Sequence, residues 1–109
     1  MATTYKVLGQ SNPSATTATN LYTVPASTST VVSTIVVCNQ TTSAATFRIS
    51  VRPAGASQTA AMYVAYDVTV GASDSTALTL GITMATTDVL TVYASTATCS
   101  FVAFGSEIS

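Results

Sequence analysis

Few side chains in this sequence can carry chemistry. There are three cations (Lys6, Arg48 and Arg52), four acids (Asp67, Asp74, Asp88 and Glu107), the thiols Cys38 and Cys99, and no histidine. General acid–base catalysis near neutrality draws most often on histidine or on carboxylates brought close together. Here the acids fall in separate segments. Asp74 in GASDS and Asp88 in ATTDV read as turn residues whose carboxylates bond their own backbone. A calcium site would need closely spaced oxygen ligands, and no loop shows them. Serine and threonine abound, but an alcohol needs a positioned base and no G-x-S-x-G turn is present. No glycine-rich phosphate loop occurs. The cysteines lack CxxC spacing, which excludes zinc on ligand count. They are read as two small buried apolar side chains, with a disulfide as the alternative. The sequence therefore reads as non-enzymatic, with no cofactor and no metal.

What remains is binding. Arg48 and Arg52 lie in TFRISVRPAG (residues 46–55), where Phe47, Ile49 and Val51 alternate with polar residues, the pattern of a strand with one wet face. A second alternating run follows a polar turn, with Met62, Val64, Tyr66, Val68 and Val70 expected on the inner face. Closing the hairpin with Phe47 opposite Val68 and Val51 opposite Val64 puts Arg48 across from Asp67 and Arg52 across from Tyr63. The arginines then decorate a wet face, or they meet an acidic patch on a partner. Tyr5, Tyr22, Tyr63, Tyr66 and Tyr93 are available to stack on sugars, although their simpler reading is a packed ring with a wet hydroxyl at a rim. The candidate interface residues are Tyr5, Lys6, Arg48, Arg52 and Tyr63.

The elements that must position these residues are strands. At 109 residues the chain fits one domain (1–109), and its 6% charged and 48% hydrophobic content describes a folded chain whose polarity comes from hydroxyls. STVVSTIVVCNQ is β-branched on both faces and reads as a central strand covered on both sides. Short apolar runs elsewhere (TYKVLGQ, LYTVPA, STALTLGI, TTDVLTVYAS, ATCSFVAFGSEI) bring the total to roughly seven or eight antiparallel strands. That predicts an all-β sandwich, either a jelly roll or immunoglobulin-like. Residues 11–20, SNPSATTATN, read as a polar loop or arm. Three scattered cations and a net charge of -1 exclude the basic face that nucleic acid requires. No apolar run approaches the roughly 20 residues of a membrane span, and the opening residues lack a secretory pattern.

Taken together, MATTYKVLGQ, LYTVPASTSTVVSTIVVCNQ, TFRISVRPAGA, TDVLTVYAS and the ending FGSEI resemble short virion structural proteins of tailed bacteriophages, prominently cyanophages. The resemblance spans nearly the whole chain and marks strands and turns, with no catalytic residue to carry over. It implies synthesis in a host cytoplasm and a place in the virion. The favoured role is a capsid decoration, or cement, protein bound to the major capsid protein and to copies of itself as a homotrimer. The alternative is a tail, neck or fibre component that contacts host-surface glycans.

Overall fold

The computed structural model describes residues 2–109. Nine strands follow one another: β1 (Thr3–Ser11), β2 (Thr19–Thr23), β3 (Ser29–Asn39), β4 (Ala45–Arg52), β5 (Tyr63–Val70), β6 (Ser75–Leu78), β7 (Ile82–Met84), β8 (Val89–Ala94) and β9 (Cys99–Ile108). The only helical turns among these residues are the 3-10 turns Pro53–Gly55 and Ala60–Met62 between β4 and β5. The run STALTLGI, read from sequence as one strand, is two. Gly81 turns at φ 61° and splits it into β6 and β7, both of which pair with β3.

The strands form two antiparallel sheets. One has the order β1-β9-β3-β6, with β7 also on β3, and the other runs β2-β8-β4-β5. The pairing is nested: β1 with β9, β2 with β8, β3 with β6 and β7, and β4 with β5. A long hairpin folded over on itself gives this order, which makes the sandwich a jelly roll and not immunoglobulin-like. The core between the sheets is filled by the inward residues of both, including Phe47, Ile49, Val92 and Leu90 from one and Ile35, Val37 and Phe101 from the other. Phe47 and Phe101 meet edge to face across it, with ring centroids 6.2 Å apart.

Bulges decide which residues face inward. β3 is central, but an extra residue at Ser33 shifts its phase, so Thr30 and Val32 and then Ile35, Val37 and Asn39 are buried. Its other face is half-buried, with Ser33 exposed, and is not the fully covered face expected from β-branched composition. The same alternation separates the thiols. Cys99 lies in the core and Cys38 on the outer face, and both are free, so the disulfide alternative does not arise. Residues 11–20 are not a free arm. β1 runs to Ser11, Pro13 is buried, Asn12 Nδ2 donates to the Cys99 carbonyl at 2.8 Å, and Thr16 N–H donates to the Ala94 carbonyl at 2.8 Å. Residues 12–18 form a docked loop, and Ser11 and residues 19–20 belong to β1 and β2.

Candidate functional site

Strand alternation puts Arg48, Ser50 and Arg52 on the outer face of the β2-β8-β4-β5 sheet. Opposite Arg48 the partner strand carries an extra residue: Phe47 pairs with Val68 and Ile49 with Ala65, leaving both Tyr66 and Asp67 against one arginine. Asp67 accommodates the bulge at φ 52°, an unusual value that aspartate tolerates better than most side chains. The Arg48–Asp67 pair expected from the hairpin forms, with Nε 2.6 Å from Oδ1 and a second guanidinium nitrogen 3.2 Å from Oδ2. The bulge adds what simple register does not. The guanidinium carbon sits 4.2 Å from the Tyr66 ring centroid and 4.4 Å from that of Tyr93, its neighbour on β8. Tyr63 packs edge-on to Tyr66 at 4.9 Å.

Arg48 is thus occupied by two aromatic rings and along its carboxylate-binding edge. Its hydrogen bond to Asp67 raises the guanidinium pKa further, and the same bond holds the Asp67 carboxyl below its usual range. For a carboxyl whose folded value is depressed, the stabilising contribution exists above the unfolded value and is lost as pH falls through the folded one. The arginine works as a scaffold for aromatic rings more than as a free charge aimed outward. Beside it, Gln58, Thr59, Ala60, Tyr63 and Tyr66 line an open groove of about 470 Å³.

Arg52 does not rest on Tyr63. A second register shift pairs Ser50 with Tyr63, and Arg52 turns the other way. It donates to Thr91 Oγ1 at 3.0 Å, Asn20 Oδ1 at 3.0 Å and the Ala56 carbonyl at 3.2 Å. Three neutral acceptors on β8, β2 and the 53–62 loop make it a tie between strands. Gln58 closes the same loop over the sheet by accepting from Ser50 Oγ at 2.6 Å, which buries Ser50 on an outer face. The inward set expected for β5 also changes. Ala65 and Val70 face the core, while Val64 and Tyr66 are 45% and 57% exposed.

Lys6 and Tyr22 meet at Glu107. The bulge in β2 brings Leu21 and Tyr22 both inside, so Tyr22 is buried and not a wet rim residue. Its hydroxyl donates to Glu107 Oε2 at 2.5 Å and lies 2.8 Å from Thr30 Oγ1, while Lys6 Nζ is 3.3 Å from Glu107 Oε1. One tyrosine of the β2-β8-β4-β5 sheet thereby bonds two strands of the other, β3 and β9. Burial, then the Glu107 hydrogen bond, pushes the Tyr22 pKa up to about 12, and the Tyr22 hydrogen bond holds Glu107 below its usual range. A raised folded value means the contribution is complete below the unfolded value near 10 and is lost as pH rises toward 12. Urea titrations should show stability falling by about 1–2 kcal/mol across that window. Tyr22→Phe should be less stable by a similar amount at neutral pH and should flatten the alkaline decline; an unchanged alkaline slope would separate Tyr22 from it.

Tyr5 lies on the outer face of the other sheet, 84% exposed, with Val7 at 46% and Phe104 at 38%. Tyr5, Lys6, Val31, Ser33, Phe104, Gly105 and Ser106 border a shallow depression of about 550 Å³. The five candidate residues therefore divide between two surfaces: Arg48 and Tyr63 together on one sheet with Arg52 nearby, and Tyr5 and Lys6 on the other. Sequence reasoning did not single out Tyr66, Tyr93 and Asp67 as members of a cluster. The signal for Asp67 was present in the expected hairpin, but the ring stacking depends on the bulge. Asp88 closes its own turn by accepting from Ala85 N–H and ties it to the Pro53–Gly55 turn by accepting from Ala54 N–H, both at 2.9 Å, and Asp74 accepts from Ser75 N–H at 2.8 Å. Among the described residues no three acids, cysteines or histidines converge as a metal site would require. No protein-family model, curated protein or solved structure matches this chain.

Proposed function

We propose that this chain is a non-enzymatic structural subunit of a phage particle, a decoration protein seated at capsomer junctions on the shell of the major capsid protein. The observation that carries the reading is the surface: Tyr5, Val7 and Phe104 stand exposed on one sheet and Val64 and Tyr66 on the other, in a chain with only 6% charged residues. Two of its three cations are already paired to acids of the same chain. Such faces carry few ions to desolvate, so burying them in an assembly costs little. The resemblance of MATTYKVLGQ and TFRISVRPAGA to phage virion proteins points the same way, and jelly rolls are common among capsid proteins by analogy of fold. A subunit that binds only the assembled shell adds its binding free energy at each junction. Repeated copies turn weak contacts into avidity.

The test is the copy number in purified virions, measured by quantitative mass spectrometry against the major capsid protein. Stoichiometry approaching that of the capsid protein is expected. A few copies per particle would overturn the decoration role in favour of a tail, neck or fibre position. The Tyr63–Tyr66 groove is the feature that favours this second reading, since an exposed ring and a half-buried one beside amide and hydroxyl groups suit a host-surface glycan.

A further inference from the structure

We infer that the free edge of β1 pairs antiparallel with β1 of a second copy of this chain, about a two-fold axis at Tyr5. The inference goes beyond the proposed role and holds wherever in a particle the protein sits. Edge strands expose unpaired backbone groups, and proteins normally blunt them by shortness, bulges or covering loops. Three of the four sheet edges here are blunted in that way. β2 has five residues and a bulge, β5 carries two register shifts, and the edge beyond β3 is broken into β6 and β7, of four and three residues. β1 differs. Residues 3–7 pair in regular register with β9, the bulge comes only after Val7, and all five residues are exposed on both faces of the strand.

Backbone parity identifies which groups are free. Ala2 and Ser109 exchange both hydrogen bonds, N–H of each to carbonyl of the other at 2.6 and 2.9 Å. In an antiparallel ladder hydrogen-bonded and non-bonded pairs alternate. Counting from Ala2, Thr4 and Lys6 therefore bond to β9, while Thr3, Tyr5 and Val7 turn their N–H and C=O groups outward. These three residues complement themselves. With Tyr5 opposite its own copy, Thr3 faces Val7 of the other chain and Val7 faces its Thr3, giving about six backbone hydrogen bonds.

Charge selects this register. Centring the axis on Lys6 would oppose two lysines directly in a non-bonded pair, the closest cross-strand position. Centring it on Thr4 would bring fewer of the three outward residues into mutual pairing. In the Tyr5 register Lys6 lies opposite Thr4 and keeps Glu107, 3.3 Å away in its own chain, as counter-charge. The two Tyr5 rings become neighbours on one face, beside Phe104 and Val31 of each copy, and cover the depression described above.

Amide hydrogen exchange of the full chain by NMR, over a concentration series up to about 1 mM, tests this without mutation. Sedimentation should show a reversible dimer of twice 11.1 kDa. As it forms, the amides of Thr3, Tyr5 and Val7 should slow together while those of Thr4 and Lys6 stay protected throughout. Tyr5→Pro removes an N–H that the monomer does not use, at an edge position where proline is tolerated. It should abolish the dimer and leave the far-UV spectrum unchanged. A chain that stays monomeric throughout the series overturns the inference, as does a dimer that forms without the alternating protection or survives Tyr5→Pro. If Tyr5→Pro failed to fold, the exchange pattern of the unaltered chain would still decide.

Discussion

Gly105→Ala should destabilise the protein by about 3 kcal/mol or more, a large share of the roughly 5–15 kcal/mol that holds a typical domain folded. A Cβ on Gly105 would lie 2.0 Å from the Val31 carbonyl oxygen and 3.0 Å from a Leu8 methyl carbon. The first contact is with backbone of the central strand, which cannot swing aside as a side-chain tip can. Gly105 occupies β9 where it pairs on one side with Lys6 of β1 and on the other with Val32 of β3. Relief of the clash therefore has to open a ladder on which the sheet depends. Gly71→Ala is the matched control, because its added Cβ would meet only Asp74 side-chain atoms at 3.6 and 3.7 Å, ordinary packing distances. Urea denaturation of both variants should show a large drop in midpoint for Gly105→Ala and a change within about 1 kcal/mol for Gly71→Ala. Equal effects would mean that β9 does not approach β3 as closely as described.

The glycine illustrates where sequence reading stops. FGSEI is visibly the end of a strand, and nothing local says that its glycine touches a backbone 74 positions earlier. Period-two alternation gave β4 its faces correctly and placed Arg48 against Asp67, since both depend on a hairpin between adjacent runs. The two register shifts in β5 were not legible. One involves Asp67 at positive φ, with no glycine to mark it, and it reverses the faces of Val64, Ala65 and Tyr66. Arg52 was misplaced for the same reason. Tyr22 was misread because the β2 bulge turns two consecutive residues inward, against alternation. The nested strand order rests on pairs such as β1 with β9, across nearly the whole chain. Such pairings are fixed by packing of the complete core and leave little local trace.

Asn39 carries the largest expected polar effect. Its sequence context, NQTTS, reads as an ordinary turn, yet the residue is 1% exposed and its amide joins both sheets. Nδ2 donates to the carbonyls of Ser43 at 2.8 Å, Gly71 at 3.2 Å and Val70 at 3.4 Å, while Oδ1 accepts from Thr41 N–H at 3.2 Å and lies 3.5 Å from Thr98 Oγ1. The end of β3 is thereby tied to the end of β5 and to the loops on either side. Asn39→Ala should cost about 2–4 kcal/mol, because it removes the donor shared by the buried Val70 carbonyl and the part-buried carbonyls of Ser43 and Gly71. Asn39→Asp is the sharper probe. It preserves shape but turns an ionised oxygen toward three carbonyl oxygens, so its folded pKa must rise above the usual aspartate value of about 3.9. Sign then follows: the ionised variant is destabilised most at neutral pH, and the deficit relative to the parent should shrink as pH falls through the raised value and a donor is restored. Acid also weakens the Arg48–Asp67 and Lys6–Glu107 pairs, but equally in both proteins, so the difference between them isolates position 39. A deficit in urea midpoint that is large at pH 7 and smaller at pH 4 would establish the amide as the donor that locks the two sheets. A small deficit, constant with pH, would mean that the carbonyls of Ser43, Val70 and Gly71 are satisfied without it.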